Sequence, residues 1–173
     1  MRVFLKPILF LLLIALSNYS LGNVAPFGLE LNKATMKDLE SKYDILKKSK
    51  KKDNVTFAAI SPRLLALKDL KEASFVFDGR DVLQAVILKM GKYKFNEMYD
   101  ILSEKYQLTR KDIPFIGDKV AYFSQDDSKI ILEAPHMSFD LEVTYVTNAF
   151  LKESNDKQKD QKKSDLDAKK AAF

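Results

Sequence analysis

Few side chains in this chain are suited to chemistry. His136 is the sole histidine, in Glu133-Ala-Pro-His136-Met-Ser-Phe-Asp140. A metal site built on it would draw on Glu133 and Asp140, a thin donor set for zinc, which favours several histidine or cysteine ligands. As a general base it would need a nucleophile or an orienting partner, and its neighbours signpost neither. A turn residue following Pro135 accounts for it instead. Asp118, Asp126 and Asp127 could offer oxygens to calcium. No loop of alternating oxygen ligands about a central glycine surrounds them, and Asp126-Asp127 reads as a hairpin turn. The chain has no Gly-rich phosphate loop, no Gly-x-Ser-x-Gly and no His-Glu-x-x-His. The expectation is a non-enzymatic chain with no catalytic residue, no metal and no cofactor.

Two further groups invite binding readings. Lys47, Lys48, Lys50, Lys51 and Lys52 form a dense cationic cluster. They could contact an anion, such as a lipid head group, an acidic polymer or an acidic partner. The alternative is a solvated hairpin loop whose charges keep a sheet edge from aggregating. No aromatic residue is interleaved to stack on bases, which argues against nucleic acid. Tyr93, Phe95, Tyr99 and Tyr106 could line a ligand pocket, but aromatic residues at helical spacing more commonly form a core.

The elements that would carry these residues occupy the middle of the chain. Residues 1–22 have the form of a secretory signal peptide. Arg2 and Lys6 precede the apolar run Ile8 to Leu16, and Ser20 and Gly22 are placed for cleavage before Asn23. The run is shorter than the roughly 20 residues a spanning helix needs, so no stable transmembrane segment is expected after cleavage. Residues 152–173 are charged and polar, with Leu166 the one large aliphatic residue before Phe173, and read as a disordered charged tail or a solvated helix. Residues 23–151 remain for a single domain. The whole chain carries 29 basic and 24 acidic residues, but the two ends hold most of the excess, and the middle is balanced to within one charge. With no cysteine, the fold must hold by apolar burial.

Along that domain, Val24 to Leu31 reads as a short strand or extended lead-in. Thr35 is a good N-cap for a helix from Met36 to Lys42, with Asp38 favouring its positive end. Ile45 and Leu46 begin a strand that runs into the lysine-rich loop Lys47 to Lys52, and Val55 to Ile60 returns. Pro62 to Leu70 reads as an edge strand over Arg63 to Leu67 or a short helix capped by Ser61-Pro62, the strand being preferred. A hairpin then turns at Asp78-Gly79. Its return strand lacks clean alternation, since Gln84 and Lys89 point to opposite faces. It is therefore bulged or covered on both faces. A helix runs from about Phe95 to Tyr106, and Gln107 to Phe115 is extended up to Pro114. Lys119 to Phe123 and Ser128 to Glu133 form a hairpin. In the last strand, Phe139, Leu141, Val143 and Tyr145 face the core.

A shift of 63 residues lays Leu39-Glu-Ser-Lys-Tyr43-Asp-Ile45 on Leu102-Ser-Glu-Lys-Tyr106-Gln-Leu108, and strands follow each helix. The fold class expected is α+β. Two tandem helix-plus-strands repeats, about 27–90 and 91–151, would form one antiparallel sheet with the helices on one face. Tandem units of this kind behind a signal peptide resemble the secreted β-lactamase inhibitor protein and the small outer-membrane assembly lipoproteins. Four segments also resemble uncharacterised secreted bacterial proteins: Phe27-Gly-Leu-Glu-Leu31, Phe75-Val-Phe-Asp78, Ile113-Pro-Phe-Ile-Gly-Asp118 and Glu133-Ala-Pro-His-Met-Ser-Phe139. The resemblance implies fold and carries no functional residue. The functional expectation is a periplasmic or secreted module that binds a protein partner through the open sheet face or an edge. The alternative is a carrier or sensor of a small apolar ligand or lipid, which would need an enclosed cavity.

Overall fold

The computed structural model describes residues 23–171 apart from Lys52. The signal-peptide reading therefore lies outside the described residues. Eight strands form one antiparallel sheet: β1 (Ile45–Lys50), β2 (Thr56–Ile60), β3 (Leu70–Phe77), β4 (Leu83–Gly91), β5 (Gln107–Asp112), β6 (Lys119–Gln125), β7 (Ser128–Ala134) and β8 (Asp140–Thr147). Their spatial order is β1-β2-β3-β4-β8-β7-β6-β5. Every pairing joins chain neighbours except β4 with β8, which meet at the centre.

Helix α1 (Met36–Lys42) precedes the first four strands and α2 (Phe95–Lys105) the second four. At the start of α1, Thr35 and Asp38 close a capping box: the Asp38 N–H donates to Thr35 Oγ1 at 3.4 Å, and the Thr35 N–H to Asp38 Oδ2 at 2.7 Å. That backbone hydrogen bond, with one from the Thr35 hydroxyl, holds the Asp38 carboxyl below its ordinary range. Both helices end alike, with the Tyr43 N–H donating to the Leu39 carbonyl and the Tyr106 N–H to that of Leu102.

Both helices contribute side chains to one core cluster, and the strand face that joins it is here termed the near face. Leu39 of α1 and Phe95, Met98 and Leu102 of α2 join a core with Phe75, Leu88, Phe123, Leu132 and Val143. Alternation supplies the strand side chains: Leu141, Val143 and Tyr145 of β8 face inward. The aromatic residues considered as a pocket are largely core, with Tyr99 tilted on Phe123 at 5.9 Å and Tyr106 edge-on to Tyr145 at 6.2 Å. Burial pushes the Tyr145 hydroxyl pKa up. Tyr93 is the exposed exception.

The register repeats along the chain. Ile45↔Ile60, Lys47↔Ala59 and Lys48↔Ala58 in β1–β2 recur 63 residues on as Leu108↔Phe123, Arg110↔Tyr122 and Lys111↔Ala121 in β5–β6. The register shift between Ile45 and Lys47 recurs between Leu108 and Arg110. Phe75↔Val86 in β3–β4 has the spacing of Leu132↔Val143 in β7–β8. At the centre, Val86↔Tyr145 and Leu88↔Val143 flank Ile87↔Thr144.

Several expectations need correction. The lysine run is not all loop: β1 continues through Lys50, so Lys47, Lys48 and Lys50 lie in an edge strand. Arg63 to Leu67 is not a strand either. A 3-10 turn occupies Pro62–Leu64, where proline fixes φ and supplies no ladder donor. Phe139 precedes β8, its carbonyl taken by the Lys92 N–H at 2.8 Å, and it is exposed, not buried with Leu141. The return strand β4 satisfies both readings offered for it. Phe77 pairs with Leu83 and Val76 with Ala85, leaving Gln84 in a bulge, and most of β4 is buried on both faces. Finally, residues 148–171 form a third helix, α3 (Asn148–Ala171), whose start packs on the face opposite α1 and α2.

Candidate binding groove

On the far face, the strands present the other half of their alternation. Val76 of β3, Ala85 of β4 and Val146 of β8 are buried there with Val55 from the β1–β2 turn. Phe57, Ile87, Phe150 and Leu151 pack against them but remain partly open. Between this floor and α3 lies a groove of about 290 Å³, with Thr144 and Ser154 as its uncharged polar lining.

A chain of hydrogen bonds sets the wall. The Phe150 N–H donates to Thr147 Oγ1 at 3.3 Å, making Thr147 the N-cap of α3. The Thr147 hydroxyl donates to Gln84 Oε1 at 2.7 Å, and Gln84 Nε2 donates to Asp78 Oδ2 at 3.1 Å. Thr147 and Gln84 are each 4% exposed, so the bulge residue of β4 anchors the helix from inside the protein. Burial pushes the Asp78 carboxyl up, but hydrogen bonds from the Val82 N–H and from the side chain and N–H of Arg80 outweigh it and hold the pKa low. The Asn148 N–H donates to the Asp127 carbonyl at 2.8 Å, while Asn148 Oδ1 is buried without a partner. These bonds fix the direction in which α3 leaves the sheet and bring Phe150 and Leu151 over the floor.

The mouth is charged. Lys51 Nζ lies 4.6 Å from the centre of the Phe57 ring. Lys157 of α3 spans to Asp53 at 3.6 Å and to Glu153 at 2.8 Å, and the hydrogen bond it donates to Glu153, followed by the effect of Asp53, raises its pKa.

The lysines expected to form one anion site are dispersed. Pairing places Lys47 on the far face with Ala59. Lys48 turns to the near face and pairs with Glu40 of α1 at 3.2 Å, and Lys50 follows it through its pairing with Thr56. Lys51 alone among the described lysines of the cluster lines the groove, and Lys52 lies outside the described residues. His136 is exposed, its backbone N–H donating to Asp118 Oδ1 at 2.6 Å. Among the described residues no three His, Asp or Glu side chains are placed to hold a metal. Asp118 and Asp126 flank opposite ends of β6, roughly 25 Å apart at the rise of an extended strand, which removes the joint calcium reading.

The sequence reading missed the groove's floor. Its signal was the failed alternation of β4, which marks a strand needed on both faces, together with Phe150-Leu151 at the boundary of the charged segment. Comparison of the chain with protein-family models, curated proteins and solved structures finds no match. No helix among the described residues is long and apolar enough to cross a membrane.

Proposed function

We propose that this chain is a non-catalytic module, periplasmic or secreted, that binds a protein partner by taking an apolar segment of it into the far-face groove. The observation that carries the reading is the groove itself: an apolar floor left partly open, walled by α3, with Lys51 and Asp53 at its mouth. An apolar centre within a polar rim is the anatomy of a docking surface. The second reading, a carrier of a small apolar ligand or lipid, draws on the same volume. At about 290 Å³ the groove sits at the small end of ligand pockets, which run from roughly 300 Å³ upward.

The tandem-repeat reading supports an architecture of this kind. The shared 63-residue register, the matching helix ends and the paired irregularities are what duplication of one helix-plus-four-strands unit would leave. An approximate two-fold axis would then pass through Ile87↔Thr144, both of which line the groove. The likeness to the secreted inhibitor protein and the assembly lipoproteins belongs to this same reading and concerns architecture.

The test is site-directed photo-crosslinking of the full chain in cell envelopes, with the crosslinker at position 87 or, as a control, at position 64. One protein adduct formed at 87, absent at 64 and lost when Val76→Asp is added supports the reading. No protein adduct, with an apolar small molecule co-purifying in a native mass spectrum, overturns it in favour of the carrier.

A further inference from the structure

At the end of the sheet away from α3, three loops lie side by side. The pairs Lys119↔Ala134 and Gly91↔Asp140 bring residues 92–94, 113–118 and 135–139 to the same end. Hydrogen bonds join them. The His136 N–H reaches Asp118, the Lys92 N–H reaches the Phe139 carbonyl, and the Lys92 ammonium donates to the Pro135 and His136 carbonyls. From this scaffold five large apolar side chains stand in solvent: Phe115 is 100% exposed, Phe139 92%, Met137 91%, Tyr93 75% and Ile116 73%. Loops secured to one another yet tipped with uncovered aromatic and aliphatic groups call for an external apolar phase.

We propose that this loop tip inserts into the surface of a lipid bilayer. Three observations favour lipid over a protein surface. The apolar groups project from separate loop ends, a form suited to a deformable medium, whereas a protein interface needs a matched, densely packed surface. The polar groups holding the loops are occupied within the chain: Asp118 by His136, Asp140 by Lys71 and Lys89, and Lys94 by Asp69 and Glu97. The groups that tie the loops together are thus engaged with one another, and acyl chains ask for no hydrogen bonds. At the base, Lys92, Lys111 and Lys119 have no carboxylate partner among the described residues. Lys92 is held by the Pro135 and His136 carbonyls, Lys111 lies over the Tyr99 ring at 5.7 Å and Lys119 over the Phe95 ring at 5.6 Å, so on insertion these basic residues would come below the tips, as at membrane interfaces. Asp112 and Glu133, with no basic partner among the described residues, nearly balance them, so insertion is driven by apolar burial and does not require anionic lipid.

The chain contains no tryptophan, so one can be introduced as a local probe. Phe115→Trp reports the tip. Leu166→Trp on α3 is the control, because α3 leaves β8 at the opposite end and its Lys157 reaches the β1–β2 turn. Both are made in the full chain, so any membrane binding by residues 1–22 is common to the two. With vesicles of phosphatidylcholine alone, emission from position 115 is expected to shift to the blue and to be quenched by brominated acyl chains, while that from position 166 is unaffected. Adding Phe139→Asp to the 115 probe raises the lipid concentration for half the shift by about tenfold or more, the factor for losing one inserted aromatic group. Circular dichroism checks that each variant is folded. Position 115 unquenched, equal quenching at 115 and 166, indifference to Phe139→Asp, or a shift seen only with phosphatidylglycerol and abolished by salt would each overturn the proposal.

Discussion

Replacing Thr147 by valine isolates the bond network that seats α3. The two side chains are nearly the same size, so the substitution leaves little cavity and removes one hydroxyl. That hydroxyl accepts the Phe150 N–H and donates to Gln84 Oε1. Loss of an N-cap costs about 1 kcal/mol. Leaving the buried Gln84 oxygen without a donor costs about 1–3 kcal/mol, and the added buried methyl returns about 0.8 kcal/mol. A net destabilisation of about 2 kcal/mol is expected. With a urea slope near 2 kcal/mol per molar, this moves the unfolding midpoint down by about 1 M. Hydrogen exchange should locate the damage, with protection of the Phe150 and Leu151 amides lost before that of Leu88 or Val143. Adding Gln84→Leu removes the orphaned acceptor, so the double variant should be more stable than the sum of the singles. A midpoint shift below about 0.2 M, unchanged protection at Phe150, or strict additivity with Gln84→Leu would refute the reasoning.

Leu102→Ala empties a fully buried position on the inner side of α2 and should cost about 2–5 kcal/mol, read as a fall in the thermal midpoint on calorimetry. Asp78 has a carboxyl pKa held below its unfolded value, so its contribution to stability is present above the unfolded pKa and is lost as pH falls through the folded one. Urea titrations across the acid range should show that dependence weaken in Asp78→Asn. Replacing Lys47 and Lys50 together by valine strips charge from the β1 edge, where the pairing β2 gives leaves the other side of the strand open. Light scattering should then detect self-association that the native chain lacks at the same concentration.

Local chemistry was legible where a short segment decides its own fate. Thr35-x-x-Asp38 specifies a helix start because the cap is closed within four residues, and the helix boundaries follow. The polar turn at Asp126-Asp127 separates two strands for the same reason. The errors arise where a distant partner decides. Lys47 to Lys50 looked like a loop because charge was read as solvent. An edge strand exposes its side chains while its backbone pairs with β2, and a run of lysines cannot disclose that pairing. Phe139 fits the alternation of β8, yet Lys92, 47 positions earlier, takes its carbonyl outside the ladder. Of the groove, the sequence pointed to Lys51 for its charge and passed over Phe150-Leu151, two apolar residues whose role depends on the capping hydroxyl of Thr147.

The central pairing of β4 with β8 has a meaning for assembly. Within each half of the sheet, strands pair with their chain neighbours, so each half can organise by short loop closures. The join between halves must wait for a closure of some fifty residues, and until then two long apolar strands stand with unpaired edges at what will become the middle of the sheet. The spacing Val86↔Tyr145, Ile87↔Thr144 and Leu88↔Val143 reads nearly the same from either strand. A nascent β4 therefore meets in another copy of itself a surface much like the one β8 offers. Correct closure rests on proximity: the rightful partner is tethered and the stranger is not. The central line of hydrogen bonds is thus also the place where a crowded, half-folded population would err first.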